Sequence, residues 1–105
     1  AWADINFWGN ELTLHATDPN QKITSERHNV DMGNVTVPHF GVHLDAITFK
    51  NLKQRLIDKN IKFIDPPYIR FKGEDIEQET MFLADPNGNC MEIKTMKNPN
   101  TLFKK

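Results

Sequence analysis

The sequence predicts an α+β fold in which a β-hairpin precedes a unit made of one strand, one helix and three further strands. Three observations support this prediction: short stretches in which apolar and polar residues alternate, one helical apolar stripe, and sharp turn signals between the stretches. A length of 105 residues limits the chain to one domain, residues 1–105, with a modest core.

The first predicted element is the hairpin within residues 4–16. Ile5 and Phe7, and then Leu12 and Leu14, alternate with polar residues as in strands. Gly9-Asn10 separates the two runs and fits a two-residue turn.

Residues 17–37 are mostly polar and contain Asp18-Pro19-Asn20 and Gly33-Asn34. This composition predicts a long polar loop. Loops of this length in small domains are usually functional or disordered, so we expect it to border a pocket or to bridge two halves of the fold.

A strand and a helix follow this loop. Alternation over residues 37–44 places Phe40 and Val42 on one face of the strand, and His39, Gly41 and His43 on the other. The helix is expected within residues 48–60. Its apolar stripe consists of Phe49, Leu52 and Leu56. Asp45 or Thr48 can cap its N-terminus, and Asn60 can end it.

Three strands complete the predicted unit. The first covers residues 61–64, ends at Asp65-Pro66-Pro67 and has an extended continuation at 68–71. Residues 77–84 and 90–96 form the other two, and Asp85-Pro86-Asn87-Gly88 is a strong turn between them. In the last strand, Glu92 lies on the face opposite Met91 and Ile93. The tail, residues 98–105, is a short helix or loose.

Composition narrows the function classes. Thirteen basic and fourteen acidic residues give a net charge of -1, which argues against a nucleic-acid binder that relies on a positive field. The single cysteine, Cys90, excludes an intramolecular disulfide and is expected to be an inert buried thiol. The sequence shows neither a membrane-spanning apolar run nor a signal peptide, so we expect a cytoplasmic protein.

Residues able to ligate a metal lie in several predicted strands. His39, Glu92 and Glu11 all point away from the more apolar face of their strands, and His15 is an alternative to Glu11. Imidazole and carboxylate groups converging from separate strands suit a divalent metal. By spacing alone, a half-exposed polar residue on the other face of the sheet is the more common explanation for each of them. Similarly, Arg70 either clamps an anionic group or pairs with a nearby surface carboxylate.

Several motifs together resemble the vicinal oxygen chelate superfamily, which includes glyoxalase I, extradiol dioxygenases and the fosfomycin and bleomycin resistance proteins. The resemblance covers nearly the whole chain. The matching stretches are Phe7-Trp8-Gly9-Asn10-Glu11-Leu12, Pro38-His39-Phe40-Gly41-Val42, Arg70-Phe71-Lys72-Gly73, Glu77-Gln78-Glu79-Thr80-Met81-Phe82-Leu83, Asp85-Pro86-Asn87-Gly88-Asn89 and Met91-Glu92-Ile93-Lys94.

The resemblance implies paired βαβββ units whose mixed, curved sheet encloses a cleft with a divalent metal: Fe, Zn, Ni or Mn. His39 matches the ligand that opens the second unit, and Glu92 matches the ligand on its last strand. Glu11 matches a carboxylate ligand of the first unit, with His15 as the competing assignment, and either residue is a candidate catalytic base. Candidate substrate-binding residues are Arg70 and Lys94, which would orient an anionic group, and His43 and Phe82.

The first unit is incomplete in this resemblance. Residues 1–16 match only its closing hairpin, residues 38–97 match a complete second unit, and 98–105 form a tail. The family's usual first strand, helix and second strand have no counterpart, and one ligand is absent with them. A truncation, a longer parent chain, or a partner that supplies the missing strands would explain this. The last case predicts a homodimer with strand exchange.

Three functions follow as expectations. The leading one is a divalent-metal-dependent enzyme of the glyoxalase or extradiol dioxygenase type, acting on a small oxygen-chelating substrate. The second is a non-enzymatic module that sequesters a drug-like or aromatic ligand in the same cleft, lined by Trp2, Trp8, Phe71 and Phe82. The third is an inactive remnant that folds only as an oligomer.

Overall fold

The computed structural model describes residues 2–20, 26–30 and 33–103. Within these ranges the chain forms eight strands, one α-helix and a short 3-10 helix. They are β1 (Trp2–Phe7), β2 (Asn10–His15), β3 (Glu26–Val30), β4 (Gly33–Val37), β5 (Phe40–His43), α1 (Ala46–Asp58), β6 (Phe63–Arg70), β7 (Gln78–Ala84), β8 (Cys90–Met96) and the 3-10 helix (Pro99–Thr101).

Four strands form the main sheet, in the order β5-β8-β7-β6. β5 and β8 are parallel, and the other neighbours are antiparallel. With α1 connecting β5 to β6, this is the predicted βαβββ unit. The core on the helix side of the sheet consists of Leu44, Phe49, Met81, Leu83 and Ile93.

The predicted residues cap both ends of the helix, although α1 begins at Ala46, two residues before the predicted range. Asp45 is the N-cap, and its carboxylate accepts a hydrogen bond from the backbone N–H of Thr48 at 2.8 Å. Asn60 adopts a positive φ of 55° just after the helix, which stops it. Within the described ranges, no helix has the length and apolarity needed to cross a membrane.

The predicted polar loop at 17–37 is wrong in its second half, where β3 and β4 pair as an antiparallel hairpin. Residues 21–25, 31 and 32 of that loop lie outside the described residues. The four described side chains of β3 are all polar, so it shows no apolar alternation. Its partner β4 supplies the apolar contacts, because Val35 and Val37 pack against the main sheet.

The first hairpin is confirmed, but its turn lies one residue earlier than predicted. Phe7 pairs with Asn10, so the two turn residues are Trp8 and Gly9. Both have positive φ, 47° and 85°, as this class of two-residue turn requires. The Asn6 side chain fixes the turn by accepting the Gly9 N–H at 2.8 Å.

The strand predicted at 61–64 and its extended continuation at 68–71 form one strand, β6, which runs from Phe63 to Arg70 without ending at Asp65-Pro66-Pro67. β6 is an edge strand of the main sheet, and its register with β7 shifts between Phe63 and Tyr68. Proline lacks a backbone N–H but is tolerated at edges and bulges, where no ladder bond is lost.

Candidate metal site

His39 lies between the two halves of the described fold, after the cis Val37–Pro38 peptide and one residue before β5. Its Nδ1 is 2.8 Å from the backbone oxygen of Thr36. A carbonyl oxygen can only accept, so Nδ1 must carry the proton of this bond. The ring also packs edge-on against Phe82, with centroids 5.1 Å apart. Both contacts turn Nε2 away from β4.

Glu92 lies in the middle of β8 and faces His39. Its Oε1 is 3.6 Å from Nε2 of His39, while Oε2 accepts a hydrogen bond from the Thr80 hydroxyl at 2.7 Å. The side chains of His39 and Glu92 keep 28% and 15% of their exposure, so the pair is sheltered but reachable from solvent. A donor therefore holds the far side of Glu92, and its near oxygen points at the imidazole.

Gly41 explains how the two residues come so close. It is the register partner of Glu92 in the parallel β5–β8 pair. A Cβ atom at this position would collide with the backbone carbonyl oxygen of Glu92. Only glycine allows the two strands to approach this closely.

The hairpin of β3 and β4 forms the wall behind His39. Arg27 of β3 donates to both oxygens of Asp65 on β6, each at 3.1 Å, and to the Thr36 hydroxyl at 3.3 Å. It also donates to the backbone oxygen of Asn34. The bonds to Asp65 raise the pKa of the Arg27 guanidinium. One guanidinium thus ties together β3, β4 and β6.

The predicted substrate-binding residues share a sheet face with Glu92. In the antiparallel register, Phe82 pairs with Glu92 and Thr80 with Lys94, while His43 pairs with Lys94 across the parallel ladder. Arg70 of β6 lies on the same face by its pairing with Gln78, and its guanidinium stacks 4.9 Å from the Phe71 ring. The sheet therefore places a histidine and two cations on the face that carries Glu92.

His43 differs from His39 in its surroundings. Its Nε2 atom is buried without a hydrogen-bond partner among the described residues. Burial lowers the pKa of His43, and the positive charge of Lys94 lowers it further. The residue is therefore expected to be neutral near pH 7.

The structure does not bring Glu11 or His15 to His39 and Glu92. Among the described residues, no group of three or more His, Cys, Asp or Glu side chains could hold a metal ion. Glu11 and His15 lie on β2, which forms a separate two-stranded sheet with β1. Glu11 and His15 are therefore not grouped with His39 and Glu92, because β2 pairs only with β1 in a separate sheet, and the third ligand stays a prediction.

A second concavity lies on the other side of the main sheet, between the β1–β2 hairpin and α1. Its volume is about 950 Å³. His15 lies at this cavity, together with the Asp85–Asn89 turn. The apolar lining comprises Ile5, Phe7, Trp8, Leu12, Leu14, Phe40, Leu52, Leu56, Leu83, Met91 and Ile93.

Two parts of the site were missed in the sequence. Thr80 can be found by counting back from the Asp85–Gly88 turn, because the β7–β8 register places it two pairs away from Glu92 and therefore on the same face of the sheet. Arg27 and Asp65 carry no such signal, since no local pattern connects β3 with β6.

Comparisons with known proteins identify the fold. The chain is similar to the crystal structure of a glyoxalase/bleomycin resistance protein/dioxygenase from Alicyclobacillus acidocaldarius, with a TM-score of 0.71 and 27% identity over 95% of this chain and 70% of that one. A solved "conserved domain protein" matches with a TM-score of 0.53 and 18% identity over 91% of this chain and 70% of its own, which shows the fold alone. No family model and no curated protein matches the sequence. The chain thus has the glyoxalase/bleomycin resistance/dioxygenase fold that its motifs predict.

Proposed function

We propose that this protein is a divalent-metal-dependent enzyme of the glyoxalase or extradiol dioxygenase type, acting on a small substrate with neighbouring oxygens. One observation carries the proposal. Nε2 of His39 and Oε1 of Glu92 face each other at 3.6 Å, while a partner on the far side holds each group. With Nδ1 donating to Thr36, Nε2 is the ring nitrogen left to bind a cation, and the Glu92 oxygen that faces it is a second acceptor for the same cation.

The spacing and chemistry of the pair fit a metal. Two ligands at about 2.1 Å from one ion lie about 3.0–3.6 Å apart for ordinary coordination angles. Imidazole with carboxylate suits Zn, Fe, Ni or Mn. Two protein ligands leave several coordination positions open, as a chelated substrate requires. A bound metal would act as a Lewis acid on adjacent substrate oxygens.

The other residues of this face would bind and orient the substrate. Lys94 and Arg70 attract an anionic group, and His43, the register partner of Lys94, lies beside them with its Nε2 buried. Phe82 is only 1% exposed and packs edge-on against the His39 ring. It would therefore position His39 and would not contact the substrate itself.

Metal titration tests this proposal. Calorimetry on chelator-treated protein should show one ion bound per chain, with affinity falling about tenfold or more in His39→Gln and in Glu92→Gln. The matched control is His28→Gln, because His28 is an exposed histidine of β3 that lies 3.9 Å from the Glu26 carboxylate. Stoichiometric binding that survives loss of both His39 and Glu92 would refute the site.

A second candidate function is supported by the cavity beside α1. Its volume of about 950 Å³ and its largely apolar lining suit a small aromatic or drug-like ligand. A non-enzymatic module would bind such a ligand without metal. The test is a tryptophan fluorescence titration in a chelator with an aromatic hydrocarbon probe. Trp8→Phe should abolish the signal and Trp2→Phe should keep it, since Trp8 lines the cavity. Binding that needs the metal would instead favour the enzyme.

We also propose a homodimer with strand exchange. It is supported by the apolar side chains that the first hairpin exposes, including Trp2 at 69%, Ile5 at 43% and Leu14 at 42%. Analytical ultracentrifugation at several concentrations tests it. A monomer that stays folded and binds metal would exclude exchange, whereas a dimer without metal or ligand binding would favour an inactive remnant.

A further inference from the structure

We propose that Arg27 is a positioning residue for His39: held by Asp65, it fixes Thr36 and so keeps the His39 proton on Nδ1 and the lone pair of Nε2 toward Glu92. The role assigned to that lone pair rests on the proposed function. The position of the proton is a property of the metal-free protein and can be measured separately.

The contacts form a continuous path. The Arg27 guanidinium meets both Asp65 oxygens at 3.1 Å and the Thr36 hydroxyl at 3.3 Å. The Thr36 backbone oxygen then accepts from Nδ1 of His39 at 2.8 Å. Asp65 belongs to the main sheet and Thr36 to the hairpin, so the path connects β6 to His39 through β4.

Packing holds the Thr36 segment of β4 on the main sheet but does not fix its orientation. Val35, next to Thr36, is 5% exposed and packs with Phe82 and Cys90. This apolar contact holds β4 on the sheet, but hydrophobic burial is non-directional. The hydrogen bonds of Arg27 to the Thr36 hydroxyl and to the Asn34 carbonyl supply the missing direction.

Arginine is needed here because one side chain must reach several acceptors at once. Its planar fork donates to a carboxylate bidentately and still has N–H groups for other oxygens. Lysine has three donors on one nitrogen and cannot span the same acceptors. Arg27→Lys is therefore the informative conservative variant, since it keeps the charge beside Asp65 but loses the fork.

The tautomer of His39 is the deciding readout. In ¹⁵N-histidine-labelled protein with a chelator at about pH 8, where an ordinary histidine is neutral, long-range ¹H–¹⁵N spectra report which ring nitrogen carries the proton. The wild type should show His39 mainly protonated at Nδ1. Arg27→Met should lower the ratio of Nδ1–H to Nε2–H about three- to tenfold, the effect of one hydrogen bond of ordinary strength. Arg27→Lys should give an intermediate ratio.

A matched control separates positioning from general stability. Lys53 and Glu79 form an ion pair at 2.7 Å between α1 and β7. Lys53→Met breaks that pair and should leave the His39 ratio unchanged, although melting temperature falls slightly in both variants. An unchanged ratio in Arg27→Met, or an equal change in Lys53→Met, would overturn the proposal. If the wild type binds no metal yet the ratios behave as expected, the proposed function fails and this inference stands.

Discussion

The two described hairpins that precede the main sheet are alike in topology but differ in how they are attached. The β1–β2 hairpin carries most of its apolar side chains at the surface and touches β5 through the Phe7 and Phe40 rings, 6.1 Å apart. The β3–β4 hairpin buries Val35 and ties Arg27 to Asp65. An isolated hairpin is marginal in water, so only the second is expected to share the stability of the sheet.

The largest expected difference concerns two glycines. Gly41→Ala should lower the free energy of unfolding by about 3 kcal/mol, because its methyl group overlaps the Glu92 carbonyl and β5 must move away from β8. Gly9→Ala in the first hairpin meets open space, and its positive φ costs about 1–2 kcal/mol locally. Urea unfolding followed by near-UV circular dichroism measures both. Equal losses would show that the first hairpin unfolds together with the sheet.

An apolar truncation in each hairpin should give the next largest difference. Val35→Ala removes two buried methyl groups and should cost about 2 kcal/mol. Ile5 is 43% exposed, so Ile5→Ala should change the same quantity by less than about 0.5 kcal/mol. Thermal melts of the two variants make the comparison. A cost at Ile5 as large as that at Val35 would mean that a partner chain covers the first hairpin in solution.

The alkylation rate of the Cys90 thiol should show which of the two hairpins covers it. The thiol is 2% exposed, and burial raises its pKa, so its thiolate fraction at pH 8 is low. Alkylation by iodoacetamide should be about tenfold slower than for a small free thiol. Val35→Ala should speed it, whereas Ile5→Ala should not, because the β3–β4 hairpin packs over Cys90. Acceleration by both variants would contradict the difference in attachment.

The smallest effect is expected on acidification. Burial lowers the pKa of His43 in the folded state, so the unfolded chain binds a proton there more readily. The free energy of unfolding is therefore highest above the unfolded pKa of about 6.5, and it falls as the pH drops from there toward the folded-state pKa. His43→Gln should therefore reduce the stability difference between pH 8 and pH 5. Ile5→Ala, on the exposed hairpin, removes no titratable group and should leave that difference as in the wild type. If both variants changed the stability difference between pH 8 and pH 5 equally, burial of His43 would not be its cause.

Local patterns predict the second unit well. The Asp85–Gly88 turn fixes the β7–β8 register, which places Phe82 opposite Glu92, and the alternation in β5 gives the face of Gly41 and His43. The pairing of His39 with Glu92 depends on two parallel strands that are distant in sequence. No local pattern specifies that contact: strand alternation offers both residues as candidate ligands, and the family resemblance pairs them.

Two features that the sequence patterns do not specify, the β3 strand and the position of Glu11, have a common physical cause. The β3 strand is stabilised by Arg27 and by a paired strand, so its own sequence lacks the apolar alternation that predicts strands. Glu11 has suitable chemistry, but a ligand also needs a position, and that depends on where a separate sheet lies. A strand pattern gives the face of a side chain within its sheet, and does not give the placement of one sheet against another.

The parallel pairing of β5 with β8 has a consequence for the order of folding. A helix and two strands must be spanned before these strands can meet, so their contact has a high sequence separation and a large loop-closure entropy. The β7–β8 hairpin is local and is expected to form earlier. Glu92 would then be in place on a nucleus before His39 arrives. A cation held between them would bind only the fully folded chain and would stabilise it by mass action.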